Sequence, residues 1–176
     1  HRIDKDTSGV LVVAKNDAAH LSLSDQIAKK TCRREYLALC EGILKEDGGT
    51  VDTFIGRHPT DRVKMAVLPE GKGRRAVTHY KVVKRYNKGY TLVHFTLETG
   101  RTHQIRVHCK HLGHPIVGDP VYGIKKQKFE LNGQLLHAFR LTLSHPRTGK
   151  RMTFEAPVPA YFQRVLDLLE KGGAGS

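Results

Sequence analysis

The sequence predicts an α+β domain: a mixed, mainly antiparallel sheet with flanking helices. Three observations lead there. Strand-like runs outnumber helical ones, and several follow each other across short links such as Asn87-Lys88-Gly89 and HPRTG. The three helical segments are spaced irregularly, which does not suit the strict alternation of a doubly wound parallel sheet. At 176 residues the chain is long enough for one domain with a real core.

The elements are justified in order. The chain opens HRIDKDTSG, and residues 10–14, VLVVA, read as a short buried strand. Asp, Thr, Ser and Gly are turn formers, so the plain reading of the opening is a turn that feeds this strand. Asn16 can cap a helix running to about Lys30, with Asp17 near its positive end. Residues 34–43, REYLALCEGI, alternate as a strand does. Gly48-Gly49 is expected to turn, 50–55 and 64–68 to be strands, and 70–74 to form a basic glycine loop. Residues 76–86 and 90–98 form a hairpin that Thr99-Gly100 ends. Thr102 is expected to cap a helix to Leu112, stopped by Gly113. Residues 135–143 and 151–155 form a second hairpin. Pro159 opens a last helix with Phe162, Val165, Leu166 and Leu169 on one face. One domain is expected over 1–171, with GGAGS at 172–176 as a disordered tail.

Thirty Lys and Arg against seventeen Asp and Glu give a formal charge of +13. Such a surface favours polyanions, nucleic acid first. No segment of about 20 apolar residues and no signal-peptide pattern occur, which speaks against a membrane partner. Cys32, Cys40 and Cys109 are odd in number and widely spaced, which fits a reducing cytoplasm and neither a disulfide frame nor structural zinc. With no Trp and few aromatics, stacking on many successive bases is not the expected mode of binding. No Gly-x-Ser-x-Gly elbow surrounds Ser8, and no Walker motif is present.

The stretch LETGRTHQIRVHCKHLGHPIVGDPVYG concentrates chemistry. A metal reading would use His103, His108, His111, His114 and Asp119, but the spacings lack a His-Glu-x-x-His pattern and cations crowd the segment. No metal is expected. A second reading is a helix start beside Gly100 and Arg101 that offers N–H groups to phosphate. A third concerns Arg106, set between Ile105 and Val107. A partly buried Arg needs an anion, and Asp4 is one candidate. Their pairing would leave an oriented carboxylate, a nucleophile or base. Tyr36 is either an ordinary sheet tyrosine or a phenol that stacks on a base. The residues alone thus point to a basic α+β domain acting on nucleic acid through one carboxylate, and leave the reaction open.

Four stretches resemble the RluA-type pseudouridine synthases. HRIDKDTSGVLVVAK is similar to that family's HRLDxxTSG motif, and RREYLALCEG to its Tyr-bearing strand. The helix segment is similar to GRxHQIRxH followed by GHPIxGDxxYG, and LLHAFRLTLSHPRTGKRMTFEAPVP to the family's close. The resemblance implies the family's catalytic fold and isomerisation of uridine to pseudouridine in RNA, with no cofactor. It implies Asp4 as nucleophile, Tyr36 against the base, and Arg106 paired to Asp4. Arg2 would hold the nucleotide out of the stack and Ile105 would line the uracil pocket. Arg101, His103 and Gln104 would also contact substrate. Ribosomal RNA is the expected partner, transfer RNA the next, for a cytoplasmic monomer. The family's N-terminal part of the catalytic domain, with a lysine-proline motif, and a small RNA-binding domain are expected to be missing. Ile3 replaces the usual Leu, a volume-conserving change. The alternatives are a non-catalytic RNA-binding fragment and a metal-dependent nuclease.

Overall fold

The computed structural model describes residues 1–171; the tail expected at 172–176 lies outside them. Among the described residues the order is β1 (Ser8–Gly9), α1 (Asp17–Ala28), β2 (Arg33–Glu41), β3 (Gly48–Arg57), β4 (Met65–Leu68), β5 (Arg74–Tyr86), β6 (Tyr90–Leu97), α2 (Gln104–His111), β7 (Leu136–Ser144), β8 (Arg151–Glu155) and α3 (Ala160–Lys171). The strands form one sheet in the order β1-β7-β2-β6-β5-β3-β4, with β8 also on β7. Only β1 and β7 run parallel, so the sheet is mixed and mainly antiparallel. No helix among the described residues is long and apolar enough to cross a membrane.

Strand alternation divides the core. Ala38 and Cys40 of β2 join Val93 and Phe95 of β6 under Ile105 and Cys109 of α2. The intervening Leu39 and Leu92 face the other way and meet Phe162, Val165, Leu166 and Leu169 of α3. The last helix therefore buries the face its spacing predicts, and the sheet is covered by α2 on one side and α3 on the other. Asn16 caps α1 by accepting the Ala19 N–H at 2.8 Å.

Three local expectations are corrected. Residues 10–14 are not a ladder strand. Val10, Val12 and Ala14 do turn inward, against Leu23, Leu141 and Leu143, but β8 occupies the edge of β7 that they would need. Gly48 and Gly49 lie in β3, paired with Lys81 and Tyr80, and do not turn. A Cβ at Gly49 would stand 3.0–3.1 Å from the Tyr80 ring, so a cross-strand aromatic explains that glycine. Thr102 does not cap α2. His103 is the N-cap, at φ 57°, without a side-chain cap bond, while Gln104 Oε1 accepts the Arg101 N–H at 2.9 Å.

Candidate active site

The opening loop is pinned by its polar residues. Gln134 Nε2 donates to Lys5 O at 2.7 Å and to Thr7 Oγ1 at 2.9 Å, and Ser8 Oγ lies 2.8 Å from His137 Nδ1. Gly9 adopts φ +122° and touches β7 so closely that a Cβ would stand 2.1 Å from Ala138 O. Val10 then donates to that same carbonyl at 2.8 Å. The hydroxyls of Thr7 and Ser8 thus fasten a turn whose outcome is a fixed position for Asp4, one-quarter exposed.

Tyr36 is delivered by β2, beside an irregularity in the β2–β7 register. Glu35 pairs with Arg140 and Tyr36 with Ala138, leaving Phe139 as an extra residue on β7. Bulges of this kind re-aim neighbouring side chains. The phenol is buried, and burial raises its pKa; the positive charge of Arg34 opposes the shift and the charge of Asp4 adds to it.

Arg106 is 3% exposed and meets two carboxylates. Asp119 takes it bidentately, Nε to Oδ2 at 2.8 Å and Nη2 to Oδ1 at 2.9 Å. Asp4 Oδ2 lies 3.5 Å from Nη1, at the outer limit of hydrogen-bond length. Burial works against the guanidinium charge, but the bonds and charge of Asp119 and then Asp4 outweigh it, so the pKa is raised. For Asp119, burial pushes the carboxyl up. The Arg106 bonds, with N–H donors from Tyr122 and Val121, prevail and lower it. Tyr122 completes the mount, its ring 5.2 Å from Arg106 Cζ.

Asp4, Tyr36, Ile105, Arg2, Arg101, His103 and Gln104 line one cleft of about 340 Å³. Arg106 approaches it from behind Asp4. Ile105 is buried on its floor. Gln104 offers it no free amide: Oε1 accepts from Thr99 Oγ1 and Arg101 N, and Nε2 donates to Val77 O and Thr78 Oγ1. His103 Nδ1 lies 2.8 Å from the Tyr122 hydroxyl; burial and then the Arg106 charge lower its pKa, so it stands neutral at pH 7. Arg101 Nε donates to Arg75 O at 2.8 Å. The remaining histidines disperse. His108 sits between Thr53 and Thr78 hydroxyls at 2.7 Å each, and His114 Nδ1 faces Glu41 O at 2.8 Å. Among the described residues no three His, Cys, Asp or Glu side chains gather as a metal site would require.

Two residues of this site escaped sequence reasoning. Asp119, considered there only as a metal ligand, is the principal partner of Arg106. Arg34, which also lines the cleft, was not singled out. The need of Arg106 for an anion was the available signal for Asp119.

Comparisons with known proteins identify the family. Residues 1–111, which carry Asp4, Tyr36 and Arg106, match RNA pseudouridylate synthase. The chain is 51% identical over 173 residues to an uncharacterised RNA pseudouridine synthase of Bacillus subtilis, covering 98% of this chain and 56% of that one. It is 46% identical over 183 residues to ribosomal large subunit pseudouridine synthase D of Pseudomonas aeruginosa, covering 97% and 56%. The chain thus spans about half the length of the curated relatives it matches. The solved structure of human RNA pseudouridylate synthase domain containing 1 superimposes with a TM-score of 0.78 at 29% identity, covering 97% of this chain and 78% of that one. With a matching family model over residues 1–111 and relatives this similar along nearly its whole length, the chain belongs to the RNA pseudouridylate synthase family.

Proposed function

We propose that the chain isomerises specific uridines to pseudouridine in structured RNA, ribosomal RNA first and transfer RNA second, as a cytoplasmic monomer. The observation that carries this reading is the meeting of Asp4 and Arg106, 102 positions apart, at 3.5 Å beside a cleft that Tyr36 and Ile105 also line. A base inside a helix cannot reach such a cleft, so the nucleotide leaves the stack, and Arg2 at the mouth fills the space it vacates. Unstacked nucleotides of loops are the RNA elements such a cleft can take, and the charge of +13 supplies phosphate contacts.

Asp4 acts as the nucleophile, with Arg106 orienting its carboxylate. The bond between uracil N1 and the sugar C1′ breaks, the base turns, and a bond forms from uracil C5 to C1′. The bond that Asp4 makes to the nucleotide breaks again before product leaves, a proton leaves C5 and one is gained at N1, so the reaction balances with no electron carrier. Tyr36 stacks on the base as a neutral phenol, in keeping with its raised pKa, and the C5 proton departs on its side.

The test is tritium release from transcribed large-subunit ribosomal RNA labelled at uridine carbon 5. Release that disappears in Asp4→Ala is expected. Tight RNA binding without release would favour a non-catalytic RNA-binding module, and strand cleavage stopped by EDTA a nuclease.

A further inference from the structure

The described residues bury two arginines, Arg34 and Arg106. Their situations are opposite. Arg106 is gripped by Asp119 and reaches Asp4. Arg34 is 7% exposed, its Nε is buried without a hydrogen-bond partner, and among the described residues its guanidinium meets no carboxylate. Four arginines that are more exposed do find one: Arg33 with Glu35, Arg75 with Asp52, Arg85 with Asp47, Arg140 with Glu155. Leaving a buried guanidinium unpaired is costly. A position built that way in the wall of a binding cleft calls for an anion that arrives with the ligand.

The surroundings narrow the ligand. Arg34 lines the cleft together with Asp4 and Tyr36. Its Nη1 occupies the space beside Gly100, where a Cβ would stand only 2.6 Å away, so the absence of a side chain at position 100 lets the guanidinium lie there. Arg2 and Arg101 line the same cleft and have no carboxylate partner among the described residues. The cleft therefore presents cations beyond the one carboxylate of Asp4, which Arg106 already faces. A uracil carbonyl is neutral and would leave the Arg34 charge uncompensated. A phosphodiester is anionic and matches the fork of a guanidinium.

We propose that Arg34 is the phosphate-binding residue of this cleft, holding a phosphodiester oxygen of the nucleotide whose base lies against Tyr36. The proposal rests on reading the cleft as a uridine site. It separates two tasks: Arg106 serves the carboxylate, and Arg34 serves the ligand's backbone.

The experiment is an NMR titration of the full chain with uridine, uridine 3′-monophosphate and uridine 5′-monophosphate, the two nucleotides distinguishing the flanking phosphates. At least one monophosphate is expected to bind about tenfold or more tightly than uridine, the scale of a hydrogen bond to a charged group. Arg34→Met and Arg34→Gln bring that nucleotide to the affinity of uridine, with a melting temperature equal to or above the parent's. Arg34→Lys keeps part of the preference. A preference that survives in either neutral variant, or a parent that does not distinguish nucleotide from nucleoside, overturns the proposal. Tritium release by the parent is measured alongside. Release accompanied by phosphate preference independent of Arg34 counts against this proposal alone; no release counts against the isomerase reading.

Discussion

Arg106 and Asp119 form a buried bidentate pair, with bonds of 2.8 and 2.9 Å, while the contact of Arg106 with Asp4 is 3.5 Å long. The short pair is the mount, and the longer contact reaches a carboxylate that faces the cleft. The Asp119 side chain is fully buried and also receives the N–H groups of Val121 and Tyr122, so the guanidinium is fixed before any ligand arrives. Asp4 keeps some exposure and faces the cleft. An electrostatic partner held rigidly in this way costs no reorganisation during a reaction.

Removing the mount should cost stability first. Asp119→Ala leaves Arg106 buried without its main anion, and breaking a buried pair typically costs about 3–5 kcal/mol. Urea unfolding should register a loss of that order. Arg106→Met should cost a similar amount, because it strands Asp119 more than Asp4. The double variant Arg106→Met/Asp119→Ala should lose clearly less than the sum of the single changes. Additive losses would show that the two side chains do not support each other.

The need of Arg106 for a buried anion was legible in its apolar neighbours, but the identity of that anion was not. Asp4 was the candidate, yet Asp119 takes the guanidinium bidentately and Asp4 meets it only at 3.5 Å. Residues 10–14 show the same limit. Their continuous apolar run marks a buried strand, yet Leu11 and Val13 are exposed and only Val10, Val12 and Ala14 face the core. Whether they also join a ladder depends on β8, more than a hundred residues later, which takes the edge. Gly48 and Gly49 carried a turn signal because the facing Tyr80 is invisible to local reading. Elements set by their own periodicity, such as α3 and the β5–β6 hairpin, were legible. Elements set by competition between distant segments were not.

Gly9 should be intolerant of any side chain. Its φ of +122° is strained for other residues, and an added Cβ would stand 2.1 Å from a β7 carbonyl that cannot swing aside. Gly9→Ala should lose at least about 2 kcal/mol. Turnover should fall along with stability, since the loop that carries Asp4 is anchored at this contact. Melting temperature and tritium release measured together check it. An alanine variant as stable and active as the parent would mean that the β1–β7 contact does not position Asp4.

Asp4→Asn should separate chemistry from binding. The amide keeps the shape of the carboxylate but is no nucleophile, so turnover should fall by at least about a thousandfold. RNA affinity should stay within a few fold, because the proposed phosphate contacts lie elsewhere in the cleft. Filter binding and tritium release on the same RNA measure both. Turnover near the parent's level would remove Asp4 from the reaction.

His108 should give the fold a mildly acidic weakness. It is fully buried between the hydroxyls of Thr53 and Thr78, and burial, with the charge of His111 adding, lowers its pKa to about 4. The unfolded chain binds that proton near pH 6.5, so between pH 6.5 and 4 the unfolded state holds more protons than the folded one. Stability is thus complete above pH 6.5 and declines as pH falls through this window, by about 2 kcal/mol at pH 5 and about 3 kcal/mol at pH 4. Asp119, whose folded pKa is lowered, loses its contribution only below the ordinary carboxylate range, so the two effects fall in separate windows. Urea unfolding at pH 7 and pH 5, in the parent and in His108→Asn, isolates the histidine, because every other titrating group is common to both proteins. The variant should be less sensitive to the change by about 2 kcal/mol. Equal sensitivity would mean that His108 accepts its proton in the folded state as readily as in the unfolded one.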